Sequence, residues 1–466
     1  MSGPITLAPA APRSRRYAEL GLLLAALVIA GCGYVATDLA ITGQWPSGLI
    51  PAAIACILVL GAAHLAVRKY APYADPIILP LAAFLNLMGL VLIHRLDLAD
   101  AAKAERLGRT VPRADALAQL TWTAIGVVVL ITVLVVLRDH RLLQRFTYTA
   151  LAAGLVLLAL PLLPGIGASI NGARLWLRVG PLSFQPAELA KLCLIMFFAG
   201  YLVVKRDALA MARTRALGVD LPRGRDLGPL LIAWLVSMGV LVFQRDLGTA
   251  LLFFGLFTFL LYIATERRSW LLLGAGLFSV GAAAAYAAFA HVQERFAVWL
   301  HPFADPNGQS FQIVQSLFGL ANGGILGSGL GSGFPQFVPF AKTDFIMATA
   351  GEELGLTGTV LILLVYALLA ERGFRTAVAA RDAFGTLLAA GLSLVIVLQV
   401  FIVVGGVTRL IPLTGLTTPF LSYGGSSLVA NWAIVALLLR ISDGARRPLP
   451  PPVPNRDDAL TQVVQL

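Results

Sequence analysis

The chain has 466 residues, of which 58% are hydrophobic and 13% are charged, whereas a typical soluble domain is about 45–50% apolar and about 25% charged. This composition excludes a disordered chain, a nucleic-acid binder driven by surface charge and almost any soluble globular protein. The net charge of +11 is therefore expected to report membrane topology. Cys32, Cys56 and Cys193 lie in apolar stretches, which indicates small buried side chains and neither a disulfide framework nor a metal site.

Apolar runs of about 17–25 residues recur along the chain, and hydrocarbon allows each of them to satisfy its backbone polar groups only as a helix. We therefore predict an all-α, polytopic membrane bundle of about twelve transmembrane helices with a large extracytoplasmic loop. The predicted spans are 17–40, 48–67, 76–94, 119–137, 146–164, 186–204, 228–243, 247–264, 270–290, 346–370, 384–405 and 424–440.

Basic residues predict the orientation of these spans. With the N-terminus inside, the cytoplasmic segments hold 23 of the 35 Lys and Arg residues and the outside segments hold 11, while Lys191 lies within a span. This distribution satisfies the positive-inside rule and places both termini in the cytoplasm. The outside segment 95–118, which begins with Arg95, is expected to be an ordinary solvated connection.

The spans divide the chain into four predicted parts. They are a cytoplasmic tail at 1–16, an extra N-terminal helix pair at 17–75, a transmembrane core at 76–441 that includes the outside loop 291–345, and a Pro-rich cytoplasmic tail at 442–466. An alternative for the N-terminus stays open. Residues 13–32 pair an Arg-rich start with an apolar run that ends at Cys32, which is also the pattern of a lipoprotein processing site.

Ionisable residues inside spans cost about 2.5–3.5 kcal/mol on insertion scales, so they usually face the protein interior and carry function. Glu188 and Lys191 begin the sixth span, and their i, i+3 spacing puts them on one helix face. They form either a local ion pair at a capped helix start or the polar wall of an outward-facing cavity. Before them lie Arg174, Trp176 and Arg178; the arginines suit phosphate oxygens, and the tryptophan suits the membrane interface.

Six basic residues outside the membrane lie close to helix ends in four different segments. They either contact headgroups and local acids or converge on an anionic ligand at the outer leaflet. These residues are Arg174, Arg178, Arg245, Arg295, Lys342 and Arg409.

The outside loop 291–345 has the most unusual sequence. Its start at Arg295–Leu300 is amphipathic, which is typical of a helix on the membrane surface. Asp305 then opens an Asp-Pro-Asn-Gly stretch that favours a type I turn, although a carboxylate at this level also suits a general base. The glycines at 319–333 follow no strand, so they predict close packing and tight turns rather than a nucleotide site. The five histidines lack metal-ligand spacing, and no metal site is predicted.

Five stretches together resemble the SEDS family of bacterial cell-wall polymerases, the FtsW/RodA/SpoVE proteins. They occur in the family's order and topology. The stretches are Asn171–Lys191, Gln244–Ala250, Asp305–Gly333, Thr343–Gly355 and Thr414–Asn431.

The resemblance implies a peptidoglycan glycosyltransferase that polymerises lipid II at the outer face of the bacterial cytoplasmic membrane. It implies that Asp305 is the catalytic general base and that a class B penicillin-binding protein is the partner. Membrane lipids are expected around the chain, nucleic acid is not, and no resident cofactor is predicted, while a divalent cation requirement stays open. The implied substrate-binding residues are Arg174, Trp176, Arg178, Gln185, Glu188, Lys191, Arg245, Gln315, Lys342, Asp344, Arg409 and Ser426.

The sequence departs from the usual family pattern in three places. Two spans precede the usual ten, Arg245 replaces a proline, and Lys342 replaces the histidine of a Glu-Ala-His-Thr-Asp stretch whose glutamate is also missing. These departures favour an elongation-type, RodA-like member. Two other classes remain as alternatives: a transporter (flippase) of lipid-linked cell-wall precursors and a non-catalytic scaffold for a penicillin-binding protein.

Overall fold

The computed structural model describes residues 16–170, 173–179, 182–210, 214–216, 219–221 and 224–448. Within them the chain forms fourteen α-helices. They are α1 (Arg16–Thr42), α2 (Leu49–Tyr70), α3 (Ile78–Arg106), α4 (Asp115–Val136), α5 (Thr147–Ala159), α6 (Ala187–Ala210), α7 (Gly224–Phe243), α8 (Leu247–Thr265), α9 (Ser269–Ala288), α10 (Ala290–Leu300), α11 (Phe311–Gly323), α12 (Ile346–Ala379), α13 (Ala383–Val407) and α14 (Gly425–Arg446).

Five short strands accompany the helices in the described ranges. They are β1 (Gly167–Ile170), β2 (Ala173–Val179), β3 (Leu182–Phe184), β4 (Thr214–Ala216) and β5 (Val219–Leu221). The first three form an antiparallel sheet in the order β1-β2-β3, and the last two form a separate antiparallel pair. Neither segment was expected to form strands, because strands this short give no hydrophobic pattern that separates them from a loop.

The predicted helical membrane bundle is confirmed. Eleven described helical segments are long and apolar enough to cross a membrane, and the remaining predicted span, 228–243, coincides with a shorter apolar helix, Gly228–Phe243. Helix α14 lies at the centre, with 89% of its most apolar window buried inside the protein, whereas α9 lies at the edge, with 6% buried. Helix α3 extends to Arg106, so the prediction that Arg95 lies in a solvated connection is wrong; its side chain is buried.

Contacts between connections divide the bundle into two ends. At one end, called the inner end, the backbone N–H of Asp75 donates to Ser442 Oγ at 3.0 Å, and His140 contacts Asp382 at 2.8 Å. At the other, the outer end, Lys342 contacts Asp97 at 2.7 Å. Each contact joins connections that the predicted topology puts on one side of the membrane, and the assignment of the inner end to the cytoplasm stays a prediction from the basic residues.

The N-terminal helix pair is joined to the core by buried polar contacts. His64 contacts Glu19 at 2.7 Å within the pair, and His94 of α3 contacts Asp38 of α1 at 2.7 Å and stacks on Tyr34. Cys32 lies within the continuous helix α1 and is exposed, so the prediction that all three cysteines are buried is wrong for this residue. Cleavage before Cys32 would divide an intact helix, and lipoprotein processing stays an untested alternative.

Candidate active site

A buried ion pair links three elements near the outer end. Lys191 Nζ lies 2.5 Å from Glu188 Oε2 and donates to Gln399 Oε1 at 3.0 Å. Gln399 Nε2 in turn donates to the carbonyl oxygen of Thr417 at 2.8 Å. Lys191 is 2% exposed and Glu188 is 7% exposed. A buried charge is tolerated only when it is paired and hydrogen-bonded, so α6, α13 and the segment before α14 are held together at this point.

Two further predicted residues lie beside this group. The backbone N–H of Gln185 donates to Ser426 Oγ at 2.8 Å, and the neighbouring Ser427 accepts from Thr417 Oγ1 at 3.1 Å. The structure therefore brings Gln185 and Ser426 together at the start of α6 and of α14. Gln399 was missed from the sequence, although it is the only amide side chain in the predicted span 384–405, a signal that usually marks a functional interior.

Charged residues from three outer connections share the neighbouring space. Burial raises the pKa of Asp246, the charge of Glu188 raises it further, and Thr249 and Arg295 act in the opposite direction. Burial lowers the pKa of the Arg295 guanidinium, while the nearby Asp246 and Asp344 carboxyls raise it. Burial raises the pKa of Asp344 to about 6, against the lowering effects of Thr343 and Arg295. Asp344 and Glu188 thus belong to one electrostatic group with Asp246, which the sequence did not single out, and with Arg295, which it named only among the six outside basic residues.

Local backbone structure explains how Asp246 and Arg295 are held. Asp246 caps helix α8, since its Oδ1 accepts from the N–H of Thr249 at 2.9 Å. Arg295 Nη1 donates to the carbonyl oxygen of Leu413 at 2.7 Å. The predicted residue Arg245 directly precedes the capping residue and has a backbone φ of 60°, which residues other than glycine rarely adopt. Its side chain is exposed.

Asp305 lies in the loop between α10 and α11 and is exposed. Its Oδ2 accepts from the backbone N–H of Gln309 at 3.1 Å. A Cβ atom built on Gly308 would lie 2.1 Å from the same oxygen. The absence of a side chain at Gly308 therefore provides the space that the Asp305 carboxylate occupies above the turn. Among the residues that the structure describes, no hydrogen-bond partner contacts Oδ1. Asp305 is therefore both a turn residue and a carboxylate with one oxygen open to solvent.

A cavity of about 260 Å³ adjoins this turn. Gln309, which binds Asp305, lines it together with Arg295, Trp299 and Arg409. Arg409 Nε donates to the carbonyl oxygen of Trp299 at 2.8 Å, and Trp299 Nε1 donates to the carbonyl oxygen of Arg409 at 3.1 Å. Of the six outside basic residues, the structure brings Arg295 and Arg409 to one cavity, which is also lined by Gln309 after the turn of Asp305.

Gln315 is half-buried on α11. It lies one helical turn after Gln312, which lines the cavity, and residues three apart share a helix face. Sequence reasoning did not find Trp299, Gln309 or Gln312. Trp299 belongs to the amphipathic stretch that the sequence analysis assigned to the membrane surface, and only its contact with Arg409 shows that it lines a cavity.

The three predicted residues of the outer sheet lie on strand β2. Trp176 and Arg178 are spaced by two, which places them on the same face of the sheet, whereas the pairing of β2 with β1 is irregular between Arg174 and Trp176. Both arginines are exposed, and the tryptophan is half-buried. Strand β3 pairs with β2 and leads through Pro186 into α6, so the sheet lies next to the start of the helix that carries Glu188.

Lys342 has a different environment. Its Nζ contacts Asp97 at 2.7 Å, Asp100 at 2.7 Å and Asp115 at 2.8 Å. Partial burial would lower the pKa of Lys342, but the hydrogen bonds that it donates to these three carboxylates hold the pKa well above its usual range. An ammonium has three donors, so Lys342 is fully used in joining the outer loop to α3 and α4. In the described part of the chain, no group of three or more His, Cys, Asp or Glu side chains is arranged to hold a metal ion.

The glycine-rich stretch is held against the break in helix α12. Arg95 Nε contacts Glu353 Oε1, and the N–H of Gly331 donates to Glu353 Oε2 at 2.8 Å. A Cβ atom on Gly327 would lie 2.3 Å from the carbonyl oxygen of Glu353, and Gly355 interrupts α12 with a φ of 68°. The prediction of close packing and tight turns is confirmed. Arg95 was missed because the span was expected to end before it.

Comparisons with known proteins agree with this arrangement. The family model for the FtsW/RodA/SpoVE cell cycle proteins matches residues 76–447. Peptidoglycan glycosyltransferase RodA of Mycobacterium tuberculosis (strain ATCC 25618 / H37Rv) is 50% identical over 450 residues, which cover 96% of this chain and 95% of that protein. The protein of the same name from Mycobacterium leprae is 47% identical over 451 residues, covering 96% of this chain and 94% of that protein.

Two solved structures are similar as well. The structure described as "Structural coordination of polymerization and crosslinking by a peptidoglycan synthase complex" has a TM-score of 0.64 and 28% identity, covering 80% of this chain and 99% of that chain. An aspartate-to-alanine variant of the rod shape determining protein RodA of Thermus thermophilus has a TM-score of 0.55 and 27% identity, covering 79% and 97% of the two chains.

These matches also bear on the extra helix pair. The family model begins at residue 76, after α1 and α2. The mycobacterial alignments cover 96% of this chain. The residues that they leave unmatched are fewer than the residues of the helix pair, so the alignments extend into the pair. Because the family model covers most of the transmembrane core, the chain belongs to the FtsW/RodA/SpoVE family.

Proposed function

We propose that this protein is a peptidoglycan glycosyltransferase that polymerises lipid II at the outer face of the cytoplasmic membrane. The observation that carries the proposal is that the carboxylate of Asp305 accepts from the backbone of Gln309, and Gln309 lines a cavity together with Arg295 and Arg409. Relatives that are about half identical over nearly the whole chain bear the name peptidoglycan glycosyltransferase RodA, and this supports the same activity here.

Asp305 acts as general base in this proposal. It takes the proton from the 4-hydroxyl of the incoming sugar, and the oxygen then bonds to the anomeric carbon of the growing glycan. The bond between that carbon and the diphosphate carrier breaks in the same step, so an α-linked donor gives a β-linked product. General-base catalysis typically contributes about 10²–10⁴ in rate. The exposed position of Asp305 leaves its Oδ1 accessible to a hydroxyl.

The leaving diphosphate needs positive charge as its own negative charge develops. Arg295 and Arg409 line the cavity, and each uses only part of its guanidinium for backbone carbonyls. A guanidinium has five donors, so both retain donors for phosphate oxygens. Their placement next to Asp305 puts base and leaving-group stabilisation at one end of the bundle.

The buried group around Glu188 and Lys191 forms the polar wall that orients the saccharide. Further predicted residues are proposed to contact the same substrate. They are Arg174, Trp176, Arg178, Gln185, Arg245, Gln315, Asp344 and Ser426. Lys342 remains a prediction of the sequence alone, since its three donors contact Asp97, Asp100 and Asp115.

We also propose a class B penicillin-binding protein as partner and cytoplasmic positions for both termini. A similar solved structure concerns a peptidoglycan synthase complex that coordinates polymerization and crosslinking, and the basic residues favour the inner end as the cytoplasmic one. The cytoplasmic tails predicted at 1–16 and 442–466 lie largely outside the described residues.

The test is polymerisation of labelled lipid II by the full chain purified with its penicillin-binding partner, with products separated by gel electrophoresis. The wild type should form glycan strands, and Asp305→Asn should lose about 10²-fold or more, because asparagine still accepts from Gln309 but takes no proton. Glu105→Gln, which alters an exposed carboxylate at the outer end, is the control and should stay active.

Equal polymerisation by Asp305→Asn and wild type would reject the assignment of the base. A wild type that forms no strands but changes the leaflet in which labelled lipid II is accessible in vesicles would instead identify a transporter. Absence of both activities, with the partner's own activity raised, would identify a scaffold.

A further inference from the structure

A second cavity, of about 240 Å³, lies at the inner end, opposite the candidate active site. It is enclosed by the connection between α4 and α5, the connection between α12 and α13, and the last turns of α14. Its charged lining is mostly basic and consists of Arg138, Arg141, Arg381, Arg440, Arg447, Asp139, Asp382 and Asp443, with His140 between them.

The acidic residues of this lining already have partners of their own. Asp382 contacts His140 at 2.8 Å and Arg141 at 3.2 Å, and it caps α13 by accepting from the N–H of Gly385. Asp443 contacts Arg447 at 2.8 Å and accepts from the N–H of Tyr73. Asp139 accepts from the N–H of Arg141 at 2.9 Å and lies 3.7 Å from His140 Nδ1. None of the three carboxylates forms an ion pair with the two remaining exposed arginines.

Those two arginines are Arg138 and Arg381. Within the described residues, no carboxylate pairs with either of them, and the one contact of the Arg381 guanidinium is with the carbonyl oxygen of Arg447. Both side chains are exposed at the mouth of the cavity. They come from different connections, and the fold brings them to the same opening with their charges unneutralised.

A buried donor inside the cavity also lacks an acceptor. Arg440 is 4% exposed, and its two terminal nitrogens donate to the carbonyl oxygens of Tyr70 and Leu134. Its Nε has no hydrogen-bond partner in the described part of the chain. Buried N–H groups in native proteins are almost always paired, so this atom indicates an acceptor that the protein alone does not supply.

We propose that the inner-end cavity binds a phosphate group, and that this phosphate belongs to the headgroup of an anionic phospholipid. Guanidinium groups bind phosphate oxygens in bidentate geometry, and basic pockets between transmembrane helices are suited to anionic headgroups. The proposal does not depend on the glycosyltransferase activity.

Apolar surface beside the cavity favours a lipid over a free phosphate. Val136, which is 72% exposed, lies two residues before Arg138, and Leu142, which is 52% exposed, follows Arg141. Because they flank Arg138 and Arg141 in the chain, these side chains offer an apolar border for the acyl chains of a lipid held by its headgroup. A soluble phosphate ion would gain nothing from this border.

Lipid binding by the purified full chain in neutral detergent tests the proposal. Native mass spectrometry counts bound phosphatidylglycerol or phosphatidylcholine, and the thermal unfolding midpoint is followed as each lipid, or inorganic phosphate alone, is added. We expect phosphatidylglycerol to bind and to raise the midpoint, and phosphatidylcholine to do neither. The double variant Arg138→Gln/Arg381→Gln should bind phosphatidylglycerol at least about tenfold more weakly than the wild type does.

Arg145→Gln is the matched control, because it removes an exposed arginine from the same inner end without touching the cavity, and it should bind phosphatidylglycerol as the wild type does. Arg138→Lys/Arg381→Lys keeps both charges and should retain part of the binding. Equal binding of both lipids, or unchanged binding by the double glutamine variant, would overturn the proposal. An effect of inorganic phosphate as large as that of phosphatidylglycerol would overturn the assignment to a lipid.

Discussion

Arg409 and Trp299 hold each other by two reciprocal hydrogen bonds. The guanidinium of Arg409 donates to the carbonyl oxygen of Trp299, and the indole of Trp299 donates to the carbonyl oxygen of Arg409. The pair joins helix α10 to the segment after α13. Because Arg409 also donates to the carbonyl oxygen of Leu300, it caps the C-terminal end of α10, where a cation is favoured by the helix dipole.

This contact predicts that Arg409 acts through both charge and position. We expect Arg409→Gln to lower the rate of lipid II polymerisation by about 10²-fold, the usual effect of removing one electrostatic stabiliser. Arg409→Lys should lose less, since it keeps the charge but not the planar fork of donors. The measurement is the initial rate at saturating lipid II. Arg113→Gln, an exposed arginine of the α3–α4 connection, serves as control, and equal rates for all variants would refute the prediction.

Gly308 should be required for the geometry of Asp305. A Cβ atom at this position would lie 2.1 Å from Asp305 Oδ2, so Gly308→Ala must displace the carboxylate. We expect polymerisation to fall by about tenfold or more, while the thermal unfolding midpoint stays unchanged because the turn is exposed. Asn307→Ala changes the adjacent exposed residue of the same turn and should stay active. Full activity of Gly308→Ala would show that this position of the carboxylate is not needed.

Asp344 should make stability depend on pH. Burial raises the pKa of Asp344 to about 6 in the folded state, above the value of about 3.9 for an unfolded chain. Its contribution to stability is therefore fully present below about pH 4 and is lost as the pH rises through about 6, by about 3 kcal/mol. Thermal unfolding between pH 4 and pH 8 measures it.

The matching variant for this test is Asp344→Asn, which has no titrating group at this position. We expect the difference in unfolding midpoint between the variant and the wild type to grow in favour of the variant as the pH rises through 6. A difference that stays constant over this range would show that the carboxyl does not titrate there.

The buried contact between Arg95 and Glu353 predicts a large coupling energy. Arg95→Met leaves Glu353 buried without its cation and should destabilise the fold by about 3–5 kcal/mol. The double variant Arg95→Met/Glu353→Gln removes both charges and should recover part of that loss. Thermal unfolding of the wild type, of Arg95→Met, of Glu353→Gln and of the double variant gives the coupling energy between the two side chains. Additive effects of the two single changes would mean that the pair is not coupled.

Local signals in the sequence were enough for the architecture. The length of each apolar run and the distribution of Lys and Arg between connections are read from neighbouring residues, so the helical spans and their alternation could be predicted. Glu188 and Lys191 could be found for the same reason, since a pair of charges three residues apart inside an apolar run is conspicuous. Their contact at 2.5 Å confirms the predicted pairing.

Tertiary structure alone decided which partners the charges have. Lys342 contacts aspartates of α3 and α4 that lie more than two hundred residues earlier, and Arg409 meets Trp299 across 110 residues of chain. Neither pairing leaves a trace in local composition, because it depends on how helices that are distant in sequence pack side by side. For the same reason the sequence showed that arginines line the outer connections, whereas only the packed bundle determined that Arg295 and Arg409 share a cavity with the turn of Asp305.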